Sequence, residues 1–263
     1  SIFYHIEYIY TNCAYLVICD IIRYMEFIKI VRRRSFFSGV MHILLNILLV
    51  AAVWLSIIVT NSPYVAIALV FLSKWRVFAV RPRFWAANIK SNLVDLVVCL
   101  SLSLLIWLAG ADYIIAQASI AAIYIIWLLI IKPRSEKLFV EIQSLMAVFT
   151  GFYALFSISY SWPLVAIVIC AWVIGYSSLR HIMSDSESEN LEIYSMAWGL
   201  TLAELSWLFS HWVVGYAIFG ISSIAIPQVS IIVTVLSFLI FTIFLSKEDD
   251  DKIKFQEIIL PVI

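Results

Sequence analysis

Between Glu192 and Gly215 lies an apolar stretch long enough to cross a bilayer, and it carries a carboxylate, Glu204, near its middle and an imidazole, His211, seven residues on. At helical spacing Thr201, Glu204, Leu208, His211 and Gly215 share one stripe. An ionisable group at that depth costs several kcal/mol unless it is paired, hydrated or neutral, so it is a functional candidate by default. The chemistry it suggests is proton or cation coupling, with Glu204 as the carboxylate and His211 and Asp95 toward opposite boundaries. The plainer reading is that a protonated Glu, with Ser, Thr and Asn, hydrogen-bonds across helices at about 0.6 kcal/mol per contact.

Other polar stripes lie on neighbouring apolar segments. His42, Asn46, Val53, Ser56 and Thr60 form one, and Asn88, Asn92, Asp95 and Cys99 form another. Gln117 and Tyr124 share a face, and Glu141 opens a further segment. Glu204, His211, Asp95, His42 and Asn46 are therefore the candidate intramembrane polar residues. The stretch from Ser73 to Trp85 alternates basic and aromatic residues, which suits a headgroup layer. Lys74, Arg76, Arg81 and Arg83 are its candidate contacts to anionic lipid, with Lys74 and Arg76 snorkelling outward. A phosphate-bearing substrate could meet the same cluster.

Enzyme signatures are missing. Gly175-Tyr-Ser-Ser-Leu179 lacks the closing glycine of a nucleophile elbow, and no H-E-x-x-H occurs. The four cysteines, Cys13, Cys19, Cys99 and Cys170, form no C-x-x-C pair, so neither a zinc site nor a disulfide framework is expected. No catalytic residue, metal or cofactor is assigned.

These residues must be held by membrane helices. The chain is 64% hydrophobic and 13% charged, with a mean hydropathy of +1.03, far from the composition of a soluble domain. The expected fold is an all-α, polytopic transmembrane bundle of about eight spans, at 39–60, 63–80, 92–109, 113–131, 141–160, 163–179, 194–215 and 222–246. Residues 1–34 read as an interfacial amphipathic helix, with Asp20, Arg23, Glu26 and Lys29 on one face, running into the basic cluster Lys29 to Arg34. Residues 35–246 are the bundle. Residues 247–263 are a cytoplasmic acidic tail whose apolar end resembles the start of a further span.

Lys+Arg and Asp+Glu number 17 each, so net charge is uninformative, but its distribution is not. With both termini in the cytoplasm, all 17 basic residues fall on the cytoplasmic side and none in the outer links. The membrane is expected to be a cytoplasmic (inner) one. Ser62-Pro-Tyr-Val-Ala-Ile67 echoes Trp162-Pro-Leu-Val-Ala-Ile167, a hint of a four-plus-four duplication. Expected partners are membrane lipids with anionic headgroups at the cytoplasmic face, and other copies or other membrane proteins; nothing points to nucleic acid. Three functions fit: a small-solute or ion transporter or channel using Glu204, a non-catalytic subunit or scaffold of a membrane complex, or an enzyme acting on a lipid or polyprenyl phosphate through the Lys74 to Lys90 loop.

Overall fold

In the computed structural model the described residues are 39–77, 79, 81–110, 112–185, 190–212, 214–218 and 221–249. The interfacial helix expected over 1–34, Cys13 and Cys19, the linker residues 186–189 and the tail beyond Asp249 lie outside them. The chain divides into two units, 1–47 and 48–263. Eight helices are described: α1 (Gly39–Thr60), α2 (Pro63–Ser73), α3 (Trp85–Leu108), α4 (Ile114–Ile126), α5 (Lys137–Ile158), α6 (Leu164–Ile182), α7 (Leu191–Phe209) and α8 (Gln228–Asp249). Counting the 3₁₀ turn Pro82–Phe84 ahead of α3 and the π-turn Trp127–Ile131 after α4, five helices are long and apolar enough to cross a membrane. They are Gly39–Thr60, Pro82–Leu108, Ile114–Ile131, Lys137–Ile158 and Leu164–Ile182.

Local chemistry explains the turns. Ile57 O accepts from Asn61 N, and Asn61 adopts φ 47°, the left-handed conformation asparagine tolerates best among non-glycines. Ser62 then caps α2, its hydroxyl accepting from Tyr64 N, with Pro63 in the first helical position, where a missing N–H costs little. At the α3–α4 turn Gly110 has φ 78°, and the Gln117 side-chain amide donates to its carbonyl at 3.1 Å. The same Gln117 accepts from the Trp54 indole at 3.1 Å, so one buried amide ties α1, α4 and this turn together.

Packing is organised around α5. Its Ala147 and Ala154 lie in one apolar core with residues of α1 to α4 and of the π-turn after α4, among them Val53, Val70, Val98, Leu102, Tyr124 and Trp127. Its Val148, Phe152 and Leu155 lie in a second core with α6, α7 and α8. α6 and α7 approach unusually closely. A Cβ placed on Gly175 would sit 3.0 Å from Gly199 Cα, and one on Gly199 would sit 2.9 Å from the Trp172 carbonyl oxygen. Small residues at a helix crossing allow this contact in a bilayer, where lipid is as apolar as leucine and packing has to drive association.

Three expected spans differ in the structure. The segment 63–80 holds only the 11-residue α2, followed by a 3₁₀ turn at Trp75–Val77; at 1.5 Å per residue α2 is about 17 Å long, roughly half a hydrocarbon core. The helix expected to reach Gly215 ends at Phe209, and His211 lies in the turn beyond it. The segment expected to open a helix at 222 instead opens as a strand: β1 (Gly215–Ile218) pairs antiparallel with β2 (Ile221–Pro227), with a register shift after Ala217. Tyr, Ile and Val cluster there around Gly220, and β-branched and aromatic residues favour strands over helix. Pro227 donates no ladder hydrogen bond and ends β2 immediately before α8.

Candidate functional site

The most tightly built polar cluster centres on Asp95 of α3. The residue is buried, 8% exposed as a whole. Lys74, which caps the C-terminus of α2, is ion-paired with it, and both side chains are 11% exposed. Lys132 reaches the same oxygen, Oδ2, at 2.7 Å, while the Trp127 indole donates to Oδ1 at 3.3 Å and the Cys99 thiol donates to Oδ1 at 3.4 Å. Two cations on one carboxylate leave a net single positive charge, partly buried. Burying any of these charges alone would cost several kcal/mol, and mutual pairing offsets it.

The π-turn makes the cluster possible. Lys132 N donates to Trp127 O at 2.9 Å, an i→i+5 closure. In an uninterrupted α-helix residues 127 and 132 would stand about 140° apart around the axis. The wider turn brings them to one side, and both then meet Asp95.

A second cluster joins α3, α6 and the start of α7. Glu192 accepts from Tyr176 at 2.8 Å and from Lys90 at 3.0 Å, and is ion-paired with Arg180. Glu192 precedes the expected span 194–215, and its carboxyl is lowered to about 2, first by the Tyr176 hydroxyl and then by Lys90 and Arg180, with burial opposing. Tyr176 is itself stacked on Trp172, ring centroids 5.4 Å apart. Nearby, the Gln143 amide donates to the Ile131 and Arg134 carbonyls, and its Oε1 lies 2.7 Å from His181 Nε2, which is therefore the protonated ring nitrogen. These contacts gather the α2–α3, α4–α5 and α6–α7 links at one end of the second unit. We call it the basic end.

His42 and Asn46 are hydrogen-bonded to each other at 3.2 Å on α1, in the first unit. Glu204 is exposed on α7, on the face opposite the buried Ser195, Trp198, Gly199, Leu202, Ala203 and Ser206. Among the described residues it therefore meets no neighbouring helix, because the small and apolar residues of α7, led by Gly199, win the contact with α6. Exposed with it on α7 are Ile193, Leu200, Trp207 and Leu208. His211 is exposed, its Nδ1 2.9 Å from the Trp207 carbonyl oxygen. Lys74 points inward to Asp95 instead of snorkelling to lipid. Arg81 and Arg83 are exposed, Arg83 lying over the Phe84 ring at 4.6 Å; of Arg76 only the backbone is described. No group of three or more His, Cys, Asp or Glu able to hold a metal occurs among the described residues.

Lys132, Trp127, Arg180, Tyr176 and Gln143 carry no site signal in the sequence pattern, while Lys90 is marked there only as the end of the basic loop. The Asn88, Asn92, Asp95, Cys99 stripe was the one signal pointing at the first cluster. Lys132 had the spacing signature of a link residue only.

Fold and clusters together define a helical integral membrane protein, its polar chemistry concentrated in ion pairs at one end. Comparison with protein-family models, curated proteins and solved structures gives no match.

Proposed function

We propose that this chain is a non-catalytic subunit or scaffold of a membrane complex, polytopic, with its basic end and both termini in the cytoplasm, and that it docks a partner through the outer face of α7. The observation carrying this reading is the exposed Glu204, about 20 Å along α7 from its first residue at 1.5 Å per residue. Exposed beside it on α7 are Ile193, Leu200, Trp207 and Leu208, with Thr201 one turn back. A carboxyl turned to hydrocarbon is costly, and a neighbouring transmembrane helix offering a donor at that depth removes the cost. The Asp95 and Glu192 clusters support the same reading, since their cations are engaged in holding helices together.

The test uses synthetic transmembrane helices of leucine and alanine with one central arginine or, as control, none. Co-reconstituted with the labelled chain, the arginine helix should associate by energy transfer, and Glu204→Gln should remove its advantage. Equal association of both helices, unaffected by Glu204→Gln, would reject the docking role.

The second reading is a small-solute or ion transporter. Asp95 favours it, as a buried carboxylate whose two lysines could exchange partners during a cycle. Proton-coupled flux in proteoliposomes that survives Glu204→Gln and disappears in Lys132→Met would favour this reading over the first. The enzyme reading retains Arg81 and Arg83 as exposed cations for a lipid phosphate, with Lys74 committed to Asp95.

A further inference from the structure

At the end of the second unit away from the ion pairs, a cavity of about 500 Å³ opens where α5 ends, α6 begins and α7 exits. Phe156 and Ile167, each 6% exposed, form its apolar floor. Trp162, 42% exposed, stands at the rim, and Ser159, Ser210 and His211 supply its polar groups. Among the described residues no Lys, Arg, Asp or Glu lines it.

Ser159 is the telling residue. It is 5% exposed as a residue and lines the cavity. Its hydroxyl opens to that space, so a molecule in the cavity can meet it. His211 offers a second polar contact: with its Nδ1 proton given to the Trp207 carbonyl, its Nε2 is left as an acceptor. Ser210 donates to the same carbonyl at 2.6 Å, and its lone pairs remain as acceptors.

We infer that this cavity binds one uncharged sugar ring, free or as the headgroup of a glycolipid. The absence of charged groups from the lining disfavours an ionic ligand. A donor at Ser159, acceptors at His211 and Ser210 and a flat indole face at Trp162 together match a molecule with hydroxyls on its edge and C–H groups on its face. The volume lies within the range of small-molecule sites and suits a ring more than a lipid chain. The inference does not depend on the α7 docking face.

The full chain would be reconstituted in phosphatidylcholine nanodiscs without glycoside detergent, whose sugar head would compete. In one arm methyl glucoside, methyl galactoside and methyl N-acetylglucosaminide are titrated against tryptophan fluorescence and by calorimetry; in the other, monoglucosyl diacylglycerol is mixed into the disc. Saturable binding in either arm is expected, the first identifying a free sugar and the second alone a headgroup. Trp162→Ala should weaken it about tenfold or more. Ser159→Ala should weaken it roughly three- to tenfold while leaving unfolding unchanged, since the hydroxyl faces the cavity. A purely structural Ser159 would lower stability and leave binding alone. No saturable binding in either arm, or binding indifferent to both variants, overturns the inference.

Discussion

Replacing Asp95 by Asn tests whether the Lys74–Asp95–Lys132 cluster holds the helices together. The substitution keeps shape and removes the charge. Lys74, 11% exposed, is then a buried cation without a counter-ion, and breaking a buried pair from one side costs about 3–5 kcal/mol. Lys132 is 40% exposed and can turn to solvent, so its loss adds about 0–1 kcal/mol. The Trp127 indole keeps an acceptor in the Asn side-chain oxygen. Lys74→Met should cost less than Asp95→Asn, about 1–3 kcal/mol, because the carboxylate keeps Lys132, Trp127 and Cys99. Lys132→Met should cost under about 1 kcal/mol. The double variant Asp95→Asn with Lys74→Met should fall short of the sum of the singles by about 2 kcal/mol or more, since the orphaned cation is gone. Equilibrium unfolding in mixed micelles gives the energies, and alkylation of the fully buried Cys99 reports opening at the cluster itself. Strict additivity of the two singles, or Lys132→Met matching Asp95→Asn, would refute the reasoning.

Gly199→Ala should destabilise the α6–α7 contact by up to about 2 kcal/mol, because overpacking against the Trp172 backbone carbonyl, 2.9 Å from the new Cβ, exceeds the gain in helix propensity of about 1 kcal/mol. Gly151→Ala meets only the Ile174 side chain and should cost less; equal unfolding midpoints for the two would count against the close crossing. Glu192, with its carboxyl lowered to about 2 from 4.5, contributes stability that is complete above its unfolded value and lost as pH falls toward the folded one. The midpoint difference between the wild type and Glu192→Gln should therefore shrink on acidification from about pH 6 to pH 3, and a constant difference would remove the ion pair from the account. Single cysteines at Asp112 and Trp162 should label with an impermeant reagent from outside, and one at Lys137 only after the membrane is opened; the reverse pattern would invert the proposed topology.

What could be read from the chain alone was set by patterns that repeat along it. Five long apolar runs fold as helices of membrane length among the described residues, because backbone groups in lipid must be satisfied within the segment. Gathering of the basic links at one end was legible from spacing, and the structure joins Lys74, Lys90, Lys132 and Arg180 to carboxylates there. The turns at Asn61-Ser62-Pro63 and Gly110 were likewise written locally.

Partner choice was decided only in three dimensions. Lys74 and Asp95 are 21 residues apart, and no periodicity says that a cation expected to seek lipid will turn inward. Lys132 depended on a π-turn that composition does not encode. Glu204 illustrates the converse. Its place within an apolar run is plain in the sequence, but which face of α7 turns inward is settled by Gly199 meeting α6 more closely than any larger residue permits. The chain past Phe209 looked helical by hydropathy alone. Its β-branched and aromatic residues around Gly220 pair as a hairpin instead, because burial of apolar groups specifies where a segment goes and leaves its backbone form to local stereochemistry.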